Sequence, residues 1–157
     1  MTKTLSTLVA AAALAATPLA ALADDLDVIR SFYADLLTTP ADATGEMVRS
    51  VVAEDWVSIP TPRGGEGAEG LVKTLAAFGE VVPDLTWEPQ EILQDGNRYI
   101  VRGKATGTPA VPFLGIDPSG KSFEIMSIDI HTVENGRIVQ SYHVEEWLTA
   151  KYQLQAE

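Results

Sequence analysis

The stretch SIDIHTVENGRIVQSYHVEEW, residues 127–147, decides the fold, because it reads as two alternating strands joined by a tight turn. Asn135-Gly136 lies between the strands, and both residues accept the positive φ of a two-residue type I′ turn. Pairing Glu134 with Arg137 then sets the register: Asp129 faces Tyr142, His131 faces Gln140, Ile128 faces His143 and Met126 faces Glu145. Alternation sorts the side chains by face. One face carries Ser127, Asp129, His131, Gln140, Tyr142 and Glu146 among Ile125, Val133, Ile138 and Val144. The other carries Met126, Ile128, Ile130, Val139, Ser141, His143, Glu145 and Trp147. A face that mixes an acid, an imidazole and a phenol with aliphatics suits a pocket wall. The same residues would also serve as an ordinary solvated face, and a one-residue bulge would exchange the two faces.

Upstream of the hairpin the period stays at two as far back as Leu85. Leu85 to Gln94 reads as a strand interrupted at Pro89, Asp95-Gly96-Asn97 as a turn, and Arg98 to Thr108 as the returning strand. A loop runs from Pro109 to Pro118 around Phe113-Leu114, Ser119-Gly120 turns the chain, and Lys121 begins the strand that enters the hairpin. Before Leu85 the period is helical. Leu26, Ile29, Tyr33, Leu36 and Leu37 mark a first helix that ends at Thr39-Pro40. Thr44 caps a second helix through Val48, Val51 and Val52, with Glu46 in its first turn. Trp56 to Ile59 is a short extended piece, and Thr61 to Gly67 is a loop without the spacing of a phosphate-binding motif. A third helix carries Leu71, Leu75, Phe78 and Val82 on one side and stops at Pro83, and Asp84 caps a turn at the strand entry. The fold class is therefore α+β. N-terminal helices must cover one face of a curved antiparallel sheet, which leaves a cone open at one end.

Residues 1–23 read as a secretory signal peptide. Lys3 supplies the positive start, Leu5 to Leu19 is nearly all apolar, and Ala21-Leu22-Ala23 matches the small-x-small cleavage pattern, so the domain spans residues 24–157 of a periplasmic or secreted protein. The 157-residue chain has 11 basic and 22 acidic residues, and removing Lys3 with the signal makes its net charge of −11 one unit more negative. Nucleic acid and anionic membrane surfaces are repelled by such a chain. There is no cysteine, which excludes thiol catalysis, thiolate metal sites and disulfides. Two histidines supply a classical zinc site poorly.

Pro83-Asp84-Leu85 precedes Asp95-Gly96 and a strand ending Gly107-Thr108; then come Phe113-Leu114-Gly115-Ile116, Ser119-Gly120-Lys121, Ile128-Asp129-Ile130 and Glu134-Asn135-Gly136-Arg137-Ile138. In the order of these motifs, from Asp84 to Trp147, the chain resembles the SnoaL-like polyketide cyclase family. The resemblance implies the cone-shaped α+β barrel of nuclear transport factor two and ketosteroid isomerase, usually dimeric, with a ligand cavity inside the cone. It also implies that an acid in the cavity, here Asp129, moves protons during an intramolecular aldol closure, without metal or organic cofactor. Relatives often carry histidine where this chain has Ile59 and Pro109, and often end the last strand with His-Trp and then Asp where it has Ser141, Tyr142 and Glu146. His131 stands where an aromatic is common.

An enolising reaction needs a base next to the carbonyl and donors for the developing enolate. Asp129 is the candidate base, Tyr142 and His131 are candidate donors, and Glu146 is a further catalytic candidate. His143 and Glu145 read as a rim or interface pair; Trp56, Trp87 and Trp147 read as core or dimer contacts. The expected function is a cofactor-free cyclase, isomerase or lyase acting on a small, partly apolar carbonyl compound; the alternative is a non-catalytic binding domain holding an apolar ligand in the same cavity. Asp129 and His131 converging within hydrogen-bond reach at a solvent-connected pocket would favour catalysis, and a cavity closed to solvent and lined only by aliphatics around Asp129 would favour binding. The face bearing Ile128, Ile130, Val139 and Trp147 is too apolar for water and calls for a homodimer.

Overall fold

The computed structural model describes residues 19–156, so residues 1–18 of the signal-peptide reading lie outside the described residues. Helix α1, Leu19–Ser31, continues into a wider helical turn over Phe32–Leu37, in which the Thr38 N–H donates to the Tyr33 carbonyl five residues back at 3.0 Å. That turn buries Phe32, Tyr33 and Leu36 together, and such widened turns recur at functional sites. Thr38 then ties the segment to the sheet, its hydroxyl accepting the Trp87 N–H at 3.0 Å. A single 3₁₀ turn at Pro40–Asp42 leads to α2, Gly45–Val51, where the Thr44 hydroxyl caps the helix by accepting the Met47 N–H at 3.2 Å.

The short extended piece read at Trp56 is longer than expected. It is strand β1, Val52–Ile59, and α3, Gly67–Val81, follows it. Helix α3 buries Leu71 and Leu75 against the sheet, and Gly79 allows its backbone to approach Ala41 so closely that a Cβ there would stand 2.5 Å from the Ala41 nitrogen. Strands β2, Thr86–Asp95, β3, Arg98–Gly107, β4, Phe123–Glu134, and β5, Arg137–Glu145, form the antiparallel meander. The five strands are ordered β1-β5-β4-β3-β2, and β1 runs parallel to β5, so the sheet is not antiparallel throughout. Pro89 interrupts β2 as its missing N–H requires, with a shift of register between Pro89 and Glu91. Asp84 accepts the Thr108 N–H at 2.7 Å, at the strand entry where a turn cap was read.

Two readings of the C-terminal hairpin need correction. First, the strand ends at Glu145, and Trp147–Gln155 is a helix, α4, that the strand reading ran into. Second, the register begins as expected, Glu134 opposite Arg137 and Val133 opposite Ile138, but then slips by one, so that Thr132 faces Gln140, His131 faces Ser141, Asp129 faces His143 and Ser127 faces Glu145. Val139 is the extra residue of a β-bulge. Beyond it every β5 side chain changes face: Ser141, His143 and Glu145 join Asp129 inside, and Gln140, Tyr142 and Val144 turn to the outer face.

The inward positions of β4 are all buried, running Phe123, Ile125, Ser127, Asp129, His131 and Val133. Three consecutive polar side chains thus sit in a core otherwise built from residues such as Ile29, Leu36, Val48, Leu75 and Phe123. Burying polar groups this way is costly unless each is hydrogen-bonded, and among the described residues no buried side-chain polar atom lacks a partner.

Candidate active site

The concave sheet face, α3 and the loop after β1 enclose a cavity of about 940 Å³. Its far wall is aromatic, built by Phe78, Phe113 and Trp147: the Trp147 ring lies edge-on to Phe113 at a centroid distance of 5.7 Å, with Phe78 at 5.8 Å. Trp147 therefore faces the interior, where the sequence reading had put it on the apolar outer face. Its near wall carries Asp129, His131, Ser141, His143 and Glu145.

Asp129 and His131 do not touch each other. Tyr33, from the wide turn after α1, stands between them, its hydroxyl 3.1 Å from Asp129 Oδ2 and 2.9 Å from His131 Nε2. Ser127 Oγ donates to the same Oδ2 at 3.0 Å and accepts the Trp87 indole N–H at 3.0 Å. At the other end Ser141 Oγ lies 2.8 Å from His131 Nδ1 and accepts the Trp56 indole N–H at 3.0 Å. Both protein hydrogen bonds of the Asp129 carboxylate end on Oδ2. Among the described residues Oδ1 has no hydrogen-bond partner and is not sealed off, so it opens onto the cavity.

Burial pushes the Asp129 carboxyl up to about 6, against the opposing hydrogen bonds from Ser127 and Tyr33. Burial likewise pushes His131 down to about 3, so its imidazole is neutral at physiological pH. Tyr33 is held well above the usual phenol range, first by burial and then by the charge of Asp129 and its hydrogen bond to it.

His143 is the counterpart on β5. Its Nδ1 lies 2.6 Å from Glu145 Oε1 and its Nε2 lies 3.1 Å from the Pro60 carbonyl. The Pro60 carbonyl and an ionised Glu145 carboxylate are both acceptors, an arrangement that favours the doubly protonated ring. Burial opposes that charge, but the hydrogen bond and charge of Glu145 and the Pro60 carbonyl outweigh it and raise the pKa. The second Glu145 oxygen accepts the Trp147 indole N–H at 3.2 Å. Asp129, His143 and Glu145 place one ligand atom each within 4.8 Å of one another, spacing that a divalent cation would tolerate. Both His143 nitrogens are engaged, Nδ1 with Glu145 and Nε2 with the Pro60 carbonyl, so a cation bound there would displace one of these contacts.

Of the four residues singled out in the sequence, the structure places Asp129 and His131 on the cavity wall, linked through Tyr33 rather than to each other, and leaves the other two outside. The bulge at Val139 turns Tyr142 to the outer face, where it is 39 % exposed. Glu146 follows the strand's end and its carboxylate accepts the Met126 N–H at 3.1 Å, a structural contact outside the cavity wall. Tyr33, Ser141, His143 and Glu145 are the site residues that sequence reasoning missed. Trp56 and Trp87 are core residues as expected, and each also donates a hydrogen bond into the polar network.

The model of the SnoaL-like polyketide cyclase family matches residues 27–154. Among solved structures, the chain is similar to IdmH of Streptomyces antibioticus, a proposed polyketide cyclase, at 27 % identity and a TM-score of 0.72 over 84 % of this chain and 99 % of that one. A proposed polyketide cyclase from Bacillus cereus is 28 % identical with a TM-score of 0.69, covering 83 % of this chain and 80 % of that one. AclR from Streptomyces galilaeus, a proposed hydroxylase, shares the fold at 19 % identity and a TM-score of 0.68, covering 84 % of this chain and 81 % of that one. No match to a curated protein reaches significance.

Proposed function

Because the chain belongs to the SnoaL-like polyketide cyclase family, we propose that it is a proton-transfer enzyme of cyclase, isomerase or lyase type. It acts, on this reading, on a small, partly apolar carbonyl compound without metal or organic cofactor. The observation that carries the proposal is the Asp129 carboxylate: one oxygen is tied into the protein, the other is open to a largely apolar cavity, and its pKa is raised to about 6. A carboxylate so placed is ionised at neutral pH yet more basic than a solvated one, as a general base requires. Oδ1 removes the proton next to the substrate carbonyl and the electron pair moves onto the carbonyl oxygen. His143, whose pKa is raised and which lies within 4.8 Å of an Asp129 oxygen, supplies positive charge for that developing enolate when protonated. Collapse of the enolate onto a second carbonyl, or return of the proton at another carbon, completes a cyclisation or an isomerisation.

The lining also speaks against the binding-only alternative, since an acid and two histidines interrupt the apolar wall. The pH dependence tests the assignment. With Asp129 as base, kcat/KM for a carbonyl substrate found by screening should fall about tenfold per unit below roughly pH 6. A profile flat from about pH 4.5 to 7.5 would remove Asp129 from the chemistry.

We propose further that the protein is exported and cleaved after Ala23, on the strength of Lys3, the apolar run to Leu19 and Ala21-Leu22-Ala23. N-terminal sequencing of the exported protein should begin at Asp24, and a mature protein starting at Met1 would overturn the reading. Assembly as a homodimer follows from the outer sheet face, where Val57, Ile59, Met126, Tyr142 and Val144 are exposed beside half-buried Ile128 and Ile130. The expected result is a dimer in sedimentation at tens of micromolar; a monomer there would count against it.

A further inference from the structure

We propose that Tyr33 and His131 are positioning residues that, with the two tryptophan–serine couples, form a one-way hydrogen-bond chain selecting Oδ1 of Asp129 as the oxygen that both takes and returns the substrate proton. The inference rests on the proton-transfer reading of Asp129 and adds which atom acts and what holds it.

The direction follows from the ends. An indole N–H can only donate, so Trp56 must give its hydrogen to Ser141 Oγ and Trp87 must give its hydrogen to Ser127 Oγ. Each serine has one proton to pass on. Ser127 passes it to Asp129 Oδ2. Ser141 has His131 Nδ1 as its onward partner, which makes Nδ1 an acceptor and puts the ring proton of the neutral imidazole on Nε2. That Nε2–H donates to the Tyr33 oxygen, so the Tyr33 proton is directed at Asp129 Oδ2. In this arrangement every hydrogen has one acceptor. The opposite tautomer would place two donors on Ser141, turn the Tyr33 hydroxyl to His131 and take one donor from Asp129.

All the protein groups in the chain are buried, with Tyr33 fully inaccessible and His131 and Ser127 each 1 % exposed. The chain spans the sheet from β1 through β5 and β4 to β2, and Tyr33 closes it from the helical layer. Two donors on Oδ2 leave Oδ1 as the more basic oxygen, facing the cavity, and a proton acquired there stays within reach of the substrate. The other ionisable groups facing Asp129 are His143 and Glu145 on β5, whose opposite charges act on it in opposite directions.

The first test needs no variant and no substrate: ¹⁵N NMR of the histidine rings of the wild-type protein from about pH 5 to about pH 8. His131 should stay neutral with its proton on Nε2, and a proton on Nδ1 would overturn the chain. The second test follows the Asp129 carboxyl by ¹³C NMR in Tyr33→Phe and Ser127→Ala. Each variant removes one donor to Oδ2 and should move the titration up by about one unit. The acid limb of kcat/KM should move with it, which loss of packing alone would not produce. Unchanged Asp129 titration in the folded variants would overturn the proposal, and if Tyr33→Phe fails to fold, Ser127→Ala and the wild-type tautomer still decide. If Asp129 proves not to be the base, these spectroscopic shifts remain while turnover ignores them, which separates the two failures.

Discussion

Asp129→Asn is expected to fold, to keep ligand affinity within about tenfold of wild type, and to lose turnover by about a hundred- to ten-thousand-fold, the range that removal of a general base produces. The structure gives the reason the variant should fold. The two protein hydrogen bonds to the carboxylate both end on Oδ2, from Tyr33 at 3.1 Å and Ser127 at 3.0 Å. A carbonyl oxygen at that place accepts both, and the amide nitrogen then occupies the open position of Oδ1, where it can donate but cannot take a proton. Steady-state turnover of a carbonyl substrate identified by screening, alongside ligand affinity by calorimetry, makes the measurement. Turnover within about tenfold of wild type would take Asp129 out of the reaction and leave the cavity as a binding site. An unfolded variant would instead mark both oxygens as structural acceptors, contrary to the open Oδ1.

How much of this was legible beforehand follows from what is local. The Asn135-Gly136 turn and the alternation on either side of it are local signals, and they placed the hairpin, its first two pairs and the inward face of β4 correctly. Asp129 and His131 were legible because β4 keeps strict alternation from Phe123 to Val133. The β5 half of the site was not. A single extra residue, Val139, turns Ser141, His143 and Glu145 inward and Tyr142 outward, and nothing in alternating residues announces where a bulge falls. Tyr33 is a harder case. In the sequence it is one of five apolar positions on a first helix; its hydroxyl acquires a role only because the fold brings Asp129, 96 residues away, against it. Helix α4 was missed because Glu145 and Glu146 continue the strand-like pattern up to Trp147. The parallel pairing of β1 with β5 is likewise a long-range choice that local periodicity does not encode.

The second large effect is on stability, and Asp129→Asn reads it again in a different way. The folded Asp129 carboxyl has its pKa raised from 3.8 to about 6, chiefly by burial, so the folded state binds that proton more tightly than the unfolded chain does. Between roughly pH 4 and pH 6 the unfolded chain gives up its proton first, so the wild-type protein loses stability as pH rises through this window. Above about pH 6 the loss is complete, on the order of 3 kcal/mol for a shift of about two units. Asparagine does not titrate. The variant should therefore be more stable relative to wild type at about pH 7.5 than at about pH 4, by up to that amount. His131 runs the other way, its pKa lowered to about 3 by burial, so it adds stability as pH rises toward its ordinary value of 6.5. It is present in both proteins and drops out of the difference, which reads Asp129 together with its charge coupling to His143. Denaturant unfolding of both proteins at the two pH values makes the measurement. A stability difference that does not change with pH would mean that the carboxylate is not held in a desolvating site, and the basis for its enhanced basicity would go with it. A difference of the expected sign would show that the fold carries an ionised acid at the expense of its own stability, which is the trade a catalytic carboxylate makes and a structural one avoids.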